Sequence, residues 1–192
     1  MIKVVKFGGS SLASAEQFMK VKDIITMDPD RRYVIPSAPG RRTPKDTKVT
    51  DMLISLYHAA SNGEDFYSQF EAVKERYNEI INGLGLNGFS LDEDFSIIEA
   101  HLCTDPMPDY IASRGEFLNG KILANYLGFE FIDSKDVIFF NEEGNLNSYK
   151  TSKVLSSRLK ECKNAVIPGF YGLGKDGNVK TFSRGVSDVT GS

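Results

Sequence analysis

The sequence contains no tryptophan, only two histidines and only two cysteines in 192 residues. The histidines, His58 and His101, and the cysteines, Cys103 and Cys162, do not form the closely spaced sets that bind zinc or iron. So few cysteines also exclude a disulfide-rich secreted scaffold, and we expect both to be inert thiols in the core. The sequence therefore predicts no transition-metal site and no Cys-His or Ser-His-Asp catalytic arrangement.

The chain also lacks a strong charge of one sign and a long apolar run. Its 23 Lys and Arg residues nearly balance its 26 Asp and Glu residues, and the formal net charge is -3. This balance predicts no general attraction to nucleic acid or to anionic membranes. No apolar run approaches the roughly 20 residues that span a bilayer, and the N terminus does not resemble a secretory signal. We expect a reduced, cytoplasmic protein that binds any anion through local groups.

Hydrophobic residues make up 41% of the chain and charged residues 26%, as in ordinary globular domains. The apolar patterns of residues 2–7 and 33–36 predict strands, and a segment of helical spacing lies between them. A strand, a helix and a strand in this order favour a parallel pair with a right-handed crossover.

Helical patterns then continue from about Thr50 to Leu127, after which the pattern changes again. Extended patterns at 129–132, 137–140 and 165–167 predict strands, a helix is predicted to end near Leu159, and a hairpin turn is predicted at 175–178. We predict a single domain over residues 1–192. Its fold class would be α/β, a three-layer sandwich with a largely parallel sheet and a helical insert between about Thr50 and Leu127.

The first candidate site is the segment Lys6-Phe7-Gly8-Gly9-Ser10-Ser11. Two adjacent glycines after a strand let backbone N–H groups approach an anion, and the N terminus of a following helix adds a favourable dipole. Lys6 would place an ammonium group against a phosphoryl oxygen. The spacing matches neither the Walker A loop nor the G-x-G-x-x-G loop. A tight turn without any ligand is the alternative.

The second candidate is Ser113-Arg114-Gly115-Glu116, within a predicted helix. Gly115 costs about 1 kcal/mol of helix propensity relative to alanine, so close approach of another backbone or of a ligand should compensate. Glu116 would then offer a carboxylate to an ammonium group. The alternative is a glycine that packs against a neighbouring helix, beside a solvated Arg114 and a solvated Glu116.

The third candidate lies near the end of the sequence, in Ser183-Arg184-Gly185-Val186-Ser187-Asp188. The planar guanidinium of Arg184 would bind a carboxylate through two parallel hydrogen bonds. Ser187 and Asp188 would either cap a following helix or bind an amine.

A basic loop offers a weaker candidate. Its cations surround one acid, Asp46, and they are Arg41, Arg42, Lys45 and Lys48. Such a loop would attract an anionic substrate, and the alternative is a solvated surface loop.

Taken together and in order, these segments resemble the aspartate kinases, which have the amino acid kinase fold. The resemblance extends from Met1 to Ser192 and includes Val49-Thr50-Asp51 and Pro168-Gly169-Phe170. The acetylglutamate, glutamate 5-phosphate and uridylate kinases of the same fold do not have the whole set. The resemblance implies transfer of the ATP γ-phosphoryl group to the side-chain carboxylate of L-aspartate, the first step of lysine, threonine and methionine biosynthesis.

The resemblance also implies a role for each matching residue. Phosphate and ATP would be bound by the catalytic Lys6 with Gly8, Gly9 and Ser10. Aspartate would lie beside Ser37 and Thr50, with its α-ammonium group on Glu116 and its α-carboxylate on Arg184, completed by Ser187 and Asp188. Mg²⁺ would bridge the ATP oxygens, and the relatives are usually homodimers.

Two departures from the family pattern limit these expectations. Val186 stands where the family has glycine, and a β-branched residue would be strained there if the position needs a positive φ. The sequence also stops at Ser192, where the family continues into a nucleotide-binding half and regulatory ACT domains, so that the C-terminal part of the fold would be missing. We expect the chain alone to be a poor catalyst. The alternatives are a non-catalytic amino-acid-binding or subunit-pairing module and a sibling amino acid kinase.

Overall fold

The fold is built on a four-stranded parallel sheet, in a computed structural model that describes residues 1–182. The strand order is β1-β2-β4-β3, where the strands are β1 (Lys3–Phe7), β2 (Arg31–Pro36), β3 (Glu130–Phe131) and β4 (Ala165–Val166). Valine, isoleucine, tyrosine and phenylalanine are frequent in these segments, as is usual in strands. The predicted parallel pairing of the first two strands is confirmed, with Phe7 opposite Pro36.

Helices cover the sheet on both faces. In chain order they are α1 (Ala15–Thr26), α2 (Val49–Ser61), α3 (Tyr67–Gly83), α4 (Asp92–Thr104), α5 (Pro108–Leu127), α6 (Ser134–Val137) and α7 (Ser148–Lys160). A hairpin of β5 (Tyr171–Leu173) and β6 (Val179–Thr181) completes the fold.

The alternation of side chains along β2 divides the core in two. Val34 packs with the apolar faces of α1 to α5. Tyr33 and Ile35 point to the opposite face, where they pack with residues of α6, α7 and the hairpin. A sheet between two covering layers is the predicted three-layer α/β fold, which is confirmed.

The longest helix, α5, crosses the helical layer and has clear start and stop signals. Pro108 occupies its first turn, and Gly128 ends it at a φ of 68°. Ile111, Leu118 and Ile122 are fully buried along it. Helices α2 to α5 together correspond to the helical insert that the sequence predicts.

Some local predictions are wrong. The predicted strand at 137–140 is not formed, because the side chain of Asp133 accepts a hydrogen bond from the backbone N–H of Lys135 and starts the short helix α6. Phe139 and Phe140 form isolated bridges instead. The expectation of a core thiol is wrong for Cys103, which is exposed, whereas Cys162 is partly buried and packs against the core. Within residues 1–182, no helix is both long enough and apolar enough to cross a bilayer.

Candidate active site

The candidate site lies at the carboxyl edge of the sheet. Because β1, β2 and β4 are parallel, the segments that follow them emerge side by side. The backbone N–H of Ser37 donates to the carbonyl of Phe7 over 3.0 Å, and that of Gly169 donates to the carbonyl of Pro36 over 3.4 Å. The glycine pair, the segment after β2 and the Pro168-Gly169-Phe170 segment are therefore neighbours in space.

Two adjoining depressions open at this edge. The strand-end depression has a volume of about 360 Å³, and its walls include Lys6, Asp51 and Phe170. The glycine-loop depression has a volume of about 450 Å³, and its walls include Gly9 and Ser10. The residues common to both are Ser37, Lys48, Thr50 and Glu116. Volumes of this size suit a small ligand.

The structure thus brings together most of the candidates that the sequence suggests. Those that line the depressions are Lys6, Gly9, Ser10, Ser37, Thr50 and Glu116. Gly8 comes just before Gly9 in the sequence, and a Cβ added to it would meet open space. Arg184, Ser187 and Asp188 lie outside the described residues, as does Val186, and their roles stay predictions.

The glycine pair is held by close backbone packing. A Cβ on Gly9 would lie 2.8 Å from the carbonyl oxygen of Ala38, and the backbone N–H of Gly40 donates to the carbonyl of Gly9 over 2.8 Å. Neither glycine of the pair has a positive φ, so left-handed geometry does not explain them. The expected helix dipole is not placed here, because a four-residue 3-10 turn follows and α1 begins only at Ala15.

Gly115 allows α5 to approach the segment after β2. A Cβ on it would lie 2.8 Å from the Cβ of Ala38 and 3.3 Å from Cδ1 of Leu53. The Tyr77 hydroxyl donates to the Gly115 carbonyl over 2.9 Å and fixes the helix from α3. Gly115 therefore packs closely against side chains of the segment after β2 and of the neighbouring helix α2, in part as the alternative interpretation predicted, and the next residue, Glu116, lies in the wall of the site.

The Glu116 carboxylate is buried and only partly satisfied. The side chain is 6% exposed, and its Oε1 accepts from the backbone N–H of Ala38 over 3.3 Å. Its Oε2 is buried without a hydrogen-bond partner. Burial raises the pKa of Glu116 to about 7, opposed by hydrogen bonds and by the charge of Arg114. An unsatisfied carboxylate oxygen in a cavity wall is suited to a cationic group of a ligand.

Arg114 is also buried, so the interpretation of residues 114 and 116 as solvated is wrong. It is 4% exposed, and its guanidinium lies over the rings of Tyr110 and Phe117, 4.4 and 4.3 Å from their centroids. The same group donates to the Ser113 hydroxyl over 2.9 Å. This packing fixes the turn of α5 from which Glu116 projects.

The cations of the basic loop are exposed, as in the solvated surface loop given as the alternative, but a residue of α3 holds the loop backbone in place. Arg76, which is 4% exposed, donates to the carbonyls of Gly40 and Thr47 over 2.9 and 3.2 Å and pairs with Asp46 at 2.7 Å. A hydrogen bond from Arg42 is the main reason that the pKa of Asp46 is held well below its usual range. One buried guanidinium thus fixes both ends of the loop between Gly40 and Thr47.

Sequence reasoning missed several residues of the site. Asn119, one turn after Glu116, donates from Nδ2 to the carbonyl of Ser37 over 2.7 Å, and its Oδ1 is buried without a partner. Its spacing of three from Glu116 could have identified it. Lys48 and Asp51 lie close to Thr50 in sequence; the sequence suggested no role for Asp51 and considered Lys48 only as one cation of the basic loop.

The donor set allows a limited role for a divalent cation. Among residues 1–182, no three His, Cys, Asp or Glu side chains form a group that could hold a metal. Magnesium needs only one or two carboxylates when phosphate oxygens and water supply the other ligands. Asp51 is an exposed carboxylate in the wall, and it fits that requirement.

Comparisons with known proteins agree with this architecture. The model of the amino acid kinase family matches residues 1–192. The chain is 41% identical to aspartokinase 3 of Bacillus subtilis, covering 100% of this chain and 45% of that protein. Its structure matches the aspartate kinase of Clostridium acetobutylicum with a TM-score of 0.93 and 47% identity, covering 98% of this chain and 43% of that one. Aspartokinase III of E. coli matches in fold, with a TM-score of 0.77 and 21% identity. The chain spans less than half the length of these relatives.

Proposed function

Because this chain belongs to the amino acid kinase family, we propose that it binds L-aspartate and takes part in transfer of the ATP γ-phosphoryl group to the aspartate side chain. The main supporting observation is the Glu116 carboxylate, which is buried in the cavity wall with Oε2 unsatisfied. Lys6 lines the strand-end depression together with Glu116, and Gly9 lines the adjoining glycine-loop depression. The E. coli relative, which matches in fold, is described in complex with aspartate and ADP.

In this proposal, the two charged ends of aspartate bind to opposite charges. Glu116 receives the α-ammonium group through its unsatisfied oxygen, and Arg184 binds the α-carboxylate with Ser187 and Asp188 beside it. Ser37 and Thr50 hydrogen-bond the substrate between these ends. The side-chain carboxylate is then directed toward Lys6, Gly8, Gly9 and Ser10.

The chemical step needs positioning more than covalent catalysis. An oxygen of the aspartate carboxylate bonds to the γ-phosphorus while the bond to the β,γ-bridging oxygen breaks, and ADP leaves with that electron pair. Lys6 offsets the charge on the phosphoryl oxygens as it spreads during transfer. A magnesium ion on the phosphate oxygens, held from the protein side by Asp51, would offset further charge.

The domain, the assembly and the pathway that we propose for this chain rest on the family resemblance. Residues 1–192 would act as one amino acid kinase domain of a cytoplasmic homodimer. Its product would be aspartyl phosphate at the head of lysine, threonine and methionine biosynthesis. A chain that spans 43–45% of its relatives would contribute the aspartate and phosphate side of the site.

Calorimetric titration with L-aspartate and L-glutamate tests the proposal directly. We expect L-aspartate to bind at least about tenfold more tightly than L-glutamate. Glu116→Gln should weaken aspartate binding by about 10- to 100-fold, because it removes a charge-assisted hydrogen bond. Glu64→Gln, at an exposed position outside the cavity, is the matched control and should bind like the wild type.

A phosphoryl-transfer assay completes the test. Lys6→Met should keep aspartate affinity within about threefold and should lower any transfer by at least about a hundredfold. Aspartate binding without transfer by the wild-type chain would favour a binding module. Failure of L-aspartate to bind, or equal binding by Glu116→Gln, would contradict the proposal.

A further inference from the structure

Lys48 occupies a special position among the cations of the site. Four residues line both depressions, and Lys48 is the one cation among them. Lys6 lines the strand-end depression, and Gly9 lines the other. In an inference that rests on the proposed function, we propose that the Lys48 ammonium binds the phosphoryl group at the junction between these depressions.

The backbone on both sides of Lys48 is fixed. Arg76 donates to the carbonyl of Thr47, and the backbone N–H of Val49 donates to the carbonyl of Pro39 over 3.1 Å. Val49 is fully buried, and Lys48 itself is the residue that precedes the first turn of α2. Lys48 therefore lines the cavity from an anchored backbone, and little backbone ordering is required when its side chain binds an anion.

Within the described part of the chain, the charge of Lys48 has no ion-pair partner. No carboxylate within residues 1–182 forms an ion pair with it, whereas Arg42 and Arg76 of the same region both pair with Asp46. The cavity wall also has two carboxylates, Asp51 and Glu116. Without Lys48, the strand-end depression would have one ammonium group, that of Lys6, beside two carboxyl groups that repel a phosphoryl group. The positive charge of Lys48 offsets this repulsion.

The location of Lys48 matches the path of the transferred group. In the proposed reaction, the phosphorus leaves the bridging oxygen of ADP near the glycine loop and bonds to an oxygen of the aspartate side-chain carboxylate, which is directed toward Lys6 and that loop. During this transfer, negative charge is spread over the three equatorial oxygens of the phosphoryl group. Two ammonium groups from separate elements, Lys6 in β1 and Lys48 before α2, would contact these oxygens.

Titration with inorganic tripolyphosphate tests this inference without requiring any site for adenine or ribose. In NMR titrations of the 192-residue chain, Lys48→Met should raise the tripolyphosphate Kd by about 10- to 100-fold, as expected for one charge-assisted contact. Lys48→Arg should restore most of the affinity. Lys45→Met is the matched control, since Lys45 is an exposed lysine of the same loop outside both depressions, and it should change Kd by less than about twofold.

Parallel measurements separate phosphate binding from other roles. Lys48→Met should leave the L-aspartate Kd within about twofold and the melting temperature within about 2 °C, since the side chain is exposed. Equal tripolyphosphate binding by Lys48→Met and Lys45→Met would overturn the inference, as would loss of aspartate binding with phosphate binding retained. If the proposed function itself is wrong, the result is different, because the wild-type chain will not bind L-aspartate at all.

Discussion

Glu116 should make the affinity for L-aspartate depend on pH between 6 and 8. Burial raises the pKa of this carboxyl to about 7 in the unliganded chain. The ammonium group of bound aspartate favours the ionised form, so the ligand binds best when Glu116 has lost its proton. At pH 6 about one tenth of the carboxyl is ionised and at pH 8 about nine tenths, so affinity should rise about tenfold over this range.

The same shift predicts how the stability of the unliganded chain varies with pH. The pKa of Glu116 is raised on folding because burial disfavours its charge, so the folded state binds the proton more tightly than the unfolded state. This contribution is fully present below about pH 4.5 and is lost as pH rises through about 7. The loss amounts to about 3 kcal/mol in the free energy of unfolding.

Calorimetry in two buffers with different heats of ionisation measures the linked proton directly. At pH 7, aspartate binding should release about half a proton per site, since about half of the Glu116 carboxyls are protonated before binding. Glu116→Gln should bind weakly, with no tenfold rise between pH 6 and 8. The reasoning is refuted if wild-type affinity is equal at pH 6 and pH 8, or if the glutamine variant shows the same rise.

Two further predictions concern the loops that form the site, and both are measured by urea denaturation. Gly9→Ala should lower the free energy of unfolding by about 1–3 kcal/mol, because the new Cβ would lie 2.8 Å from a backbone carbonyl oxygen. Gly8→Ala is the control, and it should change the free energy of unfolding by under about 1 kcal/mol, because a Cβ at this position meets open space. Equal effects of the two would contradict the packing argument. Arg76→Met should cost about 3 kcal/mol, because it leaves two loop carbonyls unpaired and removes one of the two arginines that pair with Asp46. Lys74→Met breaks an exposed ion pair on the same helix and should cost under about 1 kcal/mol. A cost for Arg76→Met no larger than for Lys74→Met would show that the loop is fixed by other contacts.

Local sequence patterns predicted most of the secondary structure. The apolar spacing of the strand before Gly8 and of the helices between Thr50 and Leu127 was sufficient, because each segment buries one face. The segment at 137–140 was not predictable in this way. A short apolar run has no period that separates strand from helix, and the Asp133 cap decided the outcome.

The sequence predicted the residues of the candidate site less completely than it predicted the secondary structure. Motif resemblance identified Lys6, Thr50 and Glu116, which the structure places around one cavity. It gave no role to Lys48 or Asn119, because their importance depends on which surface they face. The burial of Glu116, and with it the raised pKa, was expected from neither composition nor spacing.

The amino-acid sequence alone determined the order of strands and helices and the residue types available for binding, since both depend on contacts between near neighbours in the chain. Tertiary structure alone decided that Lys6, Lys48 and Glu116 share a cavity. Lys6 and Glu116 lie 110 positions apart along the chain; the parallel sheet places Lys6 at its carboxyl edge, and contacts of Thr47 and Val49 hold Lys48 beside that edge. Close packing of α5 at Gly115 then buries the Glu116 carboxylate in the wall of the same cavity.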